Sequence, residues 1–277
     1  MHHRSSRNTG VRCRRTTATT RRAEPQLNRI LAISDLHENA TAIEWLVSAA
    51  GRFDAVIIAG DTVNASPTSG GAVRPLLHLV ERLLDRTRVI VCSGNHDLDG
   101  VDAHGERTAT WTNDVRRLGA VTDGDLLLAG DTAISVLPWW DGPRGMAHVG
   151  DLVAGHHPDV DGRRWIWVHH APPVATRIAN DGVADRGDAL LPQLLSQHRP
   201  DLVVCGHVHE APFVDGGDWH DAVAGSIVVN AGQRPGPTPC HIVVDVGADT
   251  LRWSGHPSIP GTEETIDLVP APYAGPA

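Results

Sequence analysis

The chain contains no lysine; all 24 of its basic residues are arginine, which we read as a compositional bias and not as chemistry. Aromatics other than tryptophan are nearly missing, with one Tyr and two Phe against eight Trp. No stretch approaches the roughly 18 apolar residues that a membrane helix needs. The N-terminus is basic but has no apolar segment behind it, which disfavours a secretory signal. Arg14-Arg15 and Arg21-Arg22 are bare pairs for the same reason and make a poor twin-arginine export signal. Cysteine is sparse: Cys13, Cys92, Cys205 and Cys240 form no CxxC and no close pair. That excludes a disulfide framework and a thiolate zinc site. A cytoplasmic location is the default expectation.

What is present is a 277-residue chain, 41% hydrophobic, long enough for a sizeable core and one to two domains. Its net charge of −9 is unevenly spread. Residues 1–29 hold eight Arg and one acid, Glu24, and carry +7, which leaves −16 on the rest. Residues 1–28, rich in Arg, Thr and Ser without hydrophobic period, read as a disordered tail. An acidic body disfavours a protein that coats nucleic acid, because phosphate contacts need clustered positive charge. The 17 His outnumber Tyr and Phe together.

From Ile30 onward the pattern is regular. Arg29–Ser34, Asp54–Ala59 and Arg88–Cys92 are short apolar runs, predicted as buried strands. Thr41–Ala50 and Val73–Asp85 repeat their apolar residues every three to four positions, predicting helices, the first with Asn39 as N-cap. Alternation of such elements implies a parallel α/β sheet covered on both faces. Further strands are expected at Leu126–Ala129, Ala133–Leu137, Arg164–Val168, Asp201–Cys205, Ser226–Asn230, His241–Val246 and Thr250–Trp253, with a helix at Asp188–His198. Pro138–Gly162 reads as a loop, its His148, His156 and His157 solvated, and residues 257–277 as a Pro/Gly-rich surface tail. One domain over 29–256, with two sheets between helices, fits best.

The informative residues follow the strands. Asp35-Leu36-His37, Gly60-Asp61, Gly94-Asn95-His96-Asp97, His169-His170-Ala171-Pro172-Pro173 and Gly206-His207-Val208-His209 each sit just past a predicted strand end. Ligands in open α/β sheets bind beyond such ends. The set offers carboxylate, amide oxygen and imidazole but no thiolate, which suits Mn, Fe, Zn or Co. Asp35 and His37 lie two apart in extended chain and face one way, as do His207 and His209. Gathering these groups without cations would leave buried charge uncompensated.

Those five motifs, in that order over roughly residues 30–246, resemble the calcineurin-like metallophosphoesterases. The resemblance implies a four-layer α/β/β/α sandwich with two mixed sheets. It implies two divalent metal ions (Mn, Fe or Zn), one held by Asp35, His37, Asp61 and His209, the other by Asp61, Asn95, His170 and His207, with Asp61 bridging. In the fourth motif either His169 or His170 is a possible ligand; the family pattern, two residues before the first Pro, selects His170. The implied reaction is attack on phosphorus by a hydroxide between the metals. His96 would stabilise the transition state or protonate the leaving alkoxide, with Asp97 orienting it through a carboxylate–imidazole hydrogen bond.

The substrate class is read less directly. Gly60-Asp61-Thr62-Val63-Asn64 lacks the Arg of the protein phosphatases in this superfamily, and Asp97 stands where they carry Glu, which disfavours a phosphoprotein. The expected partner is a small phosphodiester or phosphomonoester, such as a cyclic nucleotide or glycerophosphodiester. A DNA or RNA nuclease and a non-catalytic binding scaffold are the alternatives. Oligomeric state is left open, a homodimer included. Trp139 and Trp140 are either core anchors or a platform for a flat leaving group. Trp165, Trp167, Cys92 and Cys205 read as core.

Overall fold

The apolar runs become central strands because each is buried on both faces: all five residues of Ala55–Ala59 and four of five in Arg29–Ile33 and Arg88–Cys92 are shielded from solvent. The computed structural model describes residues 26–65, 73–259 and 261–268. Its first stretch comprises β1 (Arg29–Ile33), α1 (Ala40–Ala50), β2 (Ala55–Ala59), α2 (Arg74–Leu84) and β3 (Arg88–Cys92). A small hairpin, β4 (Gly100–Val101) and β5 (Arg107–Thr108), then leads to α3 (Thr112–Leu118) and β6 (Val121–Thr122). The middle stretch is β7 (Leu126–Ala129), β8 (Thr132–Val136), α4 (Pro143–His156), β9 (Arg164–Val168), α5 (Leu191–His198), β10 (Leu202–Cys205), β11 (His220–Val223) and β12 (Ser226–Asn230). The chain closes with β13 (His241–Asp245), β14 (Thr250–Ser254) and β15 (Glu263–Asp267).

Two mixed sheets result. The first has the order β15-β14-β13-β1-β2-β3-β6, the second β11-β12-β10-β9-β8-β7. Strands β1, β2 and β3 run parallel, as do β8, β9, β10 and β12, while β13 lies antiparallel against β1. Period-2 alternation sorts the side chains into layers. Ile30, Ile57 and Ile90 meet Ile134, Ile166, Val204 and Val229 between the sheets. Leu31, Val56 and Val89 face the other way, under Leu46 of α1, Leu76 and Val80 of α2, and Val115 of α3. On the far side Trp165, Trp167, Val203 and Val228 pack beneath Val149 and Val153 of α4 and Leu191 and Leu195 of α5. The four layers are helices, sheet, sheet, helices. Cys92 and Cys205 are buried within them, and burial raises both thiols' pKa values.

Asn39 caps α1 as expected, its side-chain oxygen accepting from the Ala42 amide at 3.1 Å. Three boundaries differ from the sequence reading. Residues 1–25 of the expected tail lie outside the described residues, but Leu27 is buried in the inter-sheet core, so the fold begins before residue 29. The segment 257–277 is no simple surface tail: β15 pairs with β14 over five residues, and Leu268 is fully buried. Pro138–Gly162 is mostly helix. Pro143 starts α4, and both carboxylate oxygens of Glu106 accept from the Arg144 and Gly145 amides. Gly145, Gly150 and Gly155 break the propensity that reveals a helix, and only Val149 and Val153, one turn apart, supply its buried stripe. His148 is exposed on α4, as is His157 beside its C-terminus, while His156 reaches the Ser135 hydroxyl at 3.1 Å.

Candidate metal centre

The carboxyl ends of β1, β2, β3, β9 and β10 meet at one edge of the sandwich, three from the first sheet and two from the second. Beyond them the backbone turns hard. Asp35, His37, Asp61 and His207 all adopt left-handed φ values, 55°, 42°, 51° and 71°, a conformation costly for residues with a side chain. Four such residues in one small volume show a backbone bent to aim side chains. Two glycines make the approach possible. At Gly60 a Cβ would run into the His170 ring, and at Gly94 into the Asp61 carboxylate.

The side chains form two groups with ligand atoms within 4.8 Å of one another: Asp35, His37 and His209, and Asp61, His170 and His207. His209 Nε2 lies 3.2 Å from Asp35 Oδ1 and 3.3 Å from His37 Nε2. Asp61 Oδ2 is 3.2 Å from His170 Nε2 and 3.7 Å from His37 Nε2, so the Asp61 carboxylate stands between the groups. Asn95 Oδ1 is 2.9 Å from His207 Nδ1, on the His170 side. All seven residues expected to ligate metal are therefore at this edge.

Residues around the ligands hold them. Asp35 accepts from the His207 amide with both oxygens at 3.1 Å, tying the first sheet to the second. Asp61 Oδ1 accepts from the His96 amide at 2.8 Å, leaving Oδ2 toward the imidazoles. Asn64 Oδ1 lies 3.0 Å from His37 Nδ1 and orients that ring; the sequence reading passed over it. Its only signal was its place three residues after Asp61.

His170 decides whether cations fit. The ring is fully buried and its Nδ1–H donates to the Ala59 carbonyl at 2.7 Å. That leaves Nε2 with its lone pair toward Asp61, and Nε2 has no hydrogen-bond partner. A lone pair facing a buried carboxylate calls for a cation between them. Where only a proton is available, burial opposes it, but Asp61 and Asp35 overcome this and lift the His170 pKa to about 9. Asp61 shifts the other way: burial raises it, but the charge on His170 prevails and lowers it. His209, beside Asp35, is raised as well, while burial and the His170 charge push His207 down to about 4. The donor set, two carboxylates, one amide oxygen and four imidazoles, is that of a divalent-metal site.

His169, the other candidate of the fourth motif, is fully buried but turned away. It stacks on Trp140 at 4.4 Å between ring centroids, and burial holds it neutral with a pKa of about 3. His96 is exposed beside the centre, its ring 5.1 Å from that of His37. Asp97 does not orient it. The Asp97 carboxylate is fully buried and accepts from the Val63 amide at 3.0 Å and the Gly94 amide at 2.9 Å. It braces the loops that carry Asp61 and Asn95, and burial with the Asp61 charge raises its pKa to about 8. A third acidic group, Asp218, His220 and Glu264, lies apart from this edge. Its carboxylates are already used by Arg177 and the Trp219 indole.

No curated protein matches the chain. A dimetal phosphatase from Danio rerio superposes with a TM-score of 0.57 at 13% identity, over 88% of this chain and 99% of that one. TT1561 of Thermus thermophilus gives 0.56 at 14% identity, over 88% and 100%. Purple acid phosphatase PPD1 from yellow lupin gives 0.50 at 12% identity, over 88% and 54%. At these identities the likeness is one of fold. The family model for calcineurin-like phosphoesterases matches residues 28–211, two-thirds of the sequence and every one of the five motifs. The chain belongs to the calcineurin-like phosphoesterase family, metal-dependent hydrolases of phosphoric esters.

Proposed function

We propose that this edge holds two divalent ions, drawn from Mn, Fe and Zn, and hydrolyses a small phosphodiester or phosphomonoester. One observation carries the reading: Asp61 Oδ2 stands between the two ligand groups, 3.7 Å from His37 Nε2 of one and 3.2 Å from the orphaned His170 Nε2 of its own. Asp35, His37 and His209 would hold the first ion and His170, His207 and Asn95 the second. Such a pair supplies an activated water and a clamp on the phosphoryl oxygens. The overall change is a P–O bond formed to water and the P–O bond to the alcohol broken.

The chain's own part is position and proton traffic. Asn64 and the Ala59 carbonyl fix the His37 and His170 rings. Exposed His96, its ring 5.1 Å from that of His37, would give a proton to the departing alkoxide. The absence of lysine leaves Arg and His as the cations able to meet a phosphate. The test is elemental analysis of purified protein with assays on p-nitrophenyl phosphate and its bis ester, with Mn, Fe(II) or Zn added. About two equivalents of metal and chelator-sensitive hydrolysis are expected. A protein that holds metal yet cleaves neither ester would be a binding scaffold.

A further inference from the structure

Next to the metal edge lies a cleft of about 450 Å³ that the reaction as described does not use. That volume suits a group of nucleoside size. Its floor is Pro138, Trp139 and Trp140; its far wall is the β4–β5 hairpin and the first turn of α4. The two tryptophans divide the roles that the sequence left open. Trp140 is an anchor: it is buried, stacked on His169, and its indole N–H donates to Asp188 at 2.9 Å. Trp139 is only partly buried, and its ring lies 5.7 Å from that of His170 and 5.4 Å from that of His207. It is thus a wall shared by the metal edge and the cleft. Its backbone N–H donates to the Ser93 hydroxyl at 3.0 Å, which ties it to the Gly94-Asn95 turn. The indole N–H is buried and has no acceptor.

The charges around the cleft are not balanced in use. Each carboxylate is already engaged: Asp102 by the His104 and Glu106 amides, Glu106 by the α4 N-terminus, Asp123 by the Ser93 amide, and Asp141 by Arg107. The side chains of Arg144 and His148 have no hydrogen-bond or ion-pair partner among the described residues. The cleft therefore offers an aromatic face and a rim of free cationic or donor groups. A flat heterocycle rich in acceptors answers both. An ester whose phosphorus sits at the metal edge would meet Trp139 between that edge and the cleft.

We infer that this cleft receives the nucleobase of a nucleotide ester, stacked on Trp139. The inference rests on the phosphoesterase reading above and names its substrate class. Stacking of a base on an aromatic side chain is worth a factor of about ten or more. Phosphate release should be followed from adenosine 5′-monophosphate and ribose 5-phosphate, which differ by the base alone. The ratio of their kcat/KM values should favour the nucleotide by about tenfold or more, mainly through KM. Trp139→Ala should bring the ratio within about threefold, and Trp139→Phe, which keeps a stacking face, should restore it. Because the readout is a ratio, changes at the phosphate end cancel.

Adenosine line broadening in NMR on metal-free protein gives a second readout independent of turnover. It should be lost in Trp139→Ala and kept in Trp139→Phe. Hydrolysis of p-nitrophenyl phosphate with a ratio near one overturns the inference and leaves the phosphoesterase reading standing. A ratio that survives in Trp139→Ala also overturns it. No hydrolysis of any ester, with Trp139-dependent broadening intact, sinks the hydrolase reading and upholds the nucleobase cleft.

Discussion

At the scale of the residue, the centre turns on Asp61, whose two oxygens do different work. One fixes the His96 amide and the other faces His37 and His170. Asp61→Ala is expected to lose both metals, read by elemental analysis, and with them all turnover. His96→Ala should keep the metals and lose about 100-fold or more in rate, the usual weight of general acid catalysis. Full activity in either variant would refute the scheme. The candidate ligand residues were legible because each follows a strand end within two to four positions. Asp97 was not, since it sits in the same motif yet turns its carboxylate to the backbone amides of Val63 and Gly94. Nothing in a linear pattern separates a carboxylate that faces a ring from one that faces an amide.

Asp123 gives a prediction in pH. Its burial raises the carboxyl to about 6 from an ordinary 3.8, against the opposing Ser93 hydrogen bonds. The folded state then binds more protons than the unfolded state between those values. Its contribution to stability is fullest below pH 4 and falls as pH rises through 6. Asp123→Asn keeps an acceptor for Ser93 but cannot ionise. The melting temperature of the variant should gain on the parent from pH 4 to 7, whereas parallel profiles would show that Asp123 does not titrate in this way.

At the scale of the element, glycine at the strand ends sets the geometry. Gly94→Ala would push a methyl group into the Asp61 carboxylate and amide. The expected result is a large loss of metal affinity by titration, while circular dichroism retains the two sheets. Unchanged affinity would mean that the turn gives way more easily than its contacts indicate. Strands were the most legible elements, because a strand buried on both faces is a continuous apolar word. α4 was not: three glycines and a polar face conceal it, and its first amides are satisfied from 38 and 39 residues earlier by Glu106. β15 was hidden for another reason. It is an edge strand with charged, exposed side chains, so only its partner strand reveals it.

At the scale of the whole molecule, the two sheets are joined at the candidate metal edge, where Asp35 accepts from the His207 amide, as well as by their core. Truncation after residue 256 tests how much the last strand matters. It removes β15 and fully buried Leu268, and leaves the Trp219 indole without Glu264. Burial of one leucine is worth about 2 kcal/mol. A drop in melting temperature and concentration-dependent aggregation are expected, since β14 would become a bare edge. A truncated chain that melts with the full-length protein would show that β15 is dispensable.

The strand order also has a consequence in time. The second sheet, β7 to β12, is one continuous length of chain inserted before the first sheet is complete. Strand β1 pairs with β13, Arg29 against Asp245, so its neighbour is made 216 residues later. At ribosomal rates of about 5 to 20 residues per second, that is roughly 10 to 40 s of synthesis. Throughout that interval one side of an apolar strand has no partner, and a nascent chain of this protein is a client for whatever guards unfinished sheets in its cell.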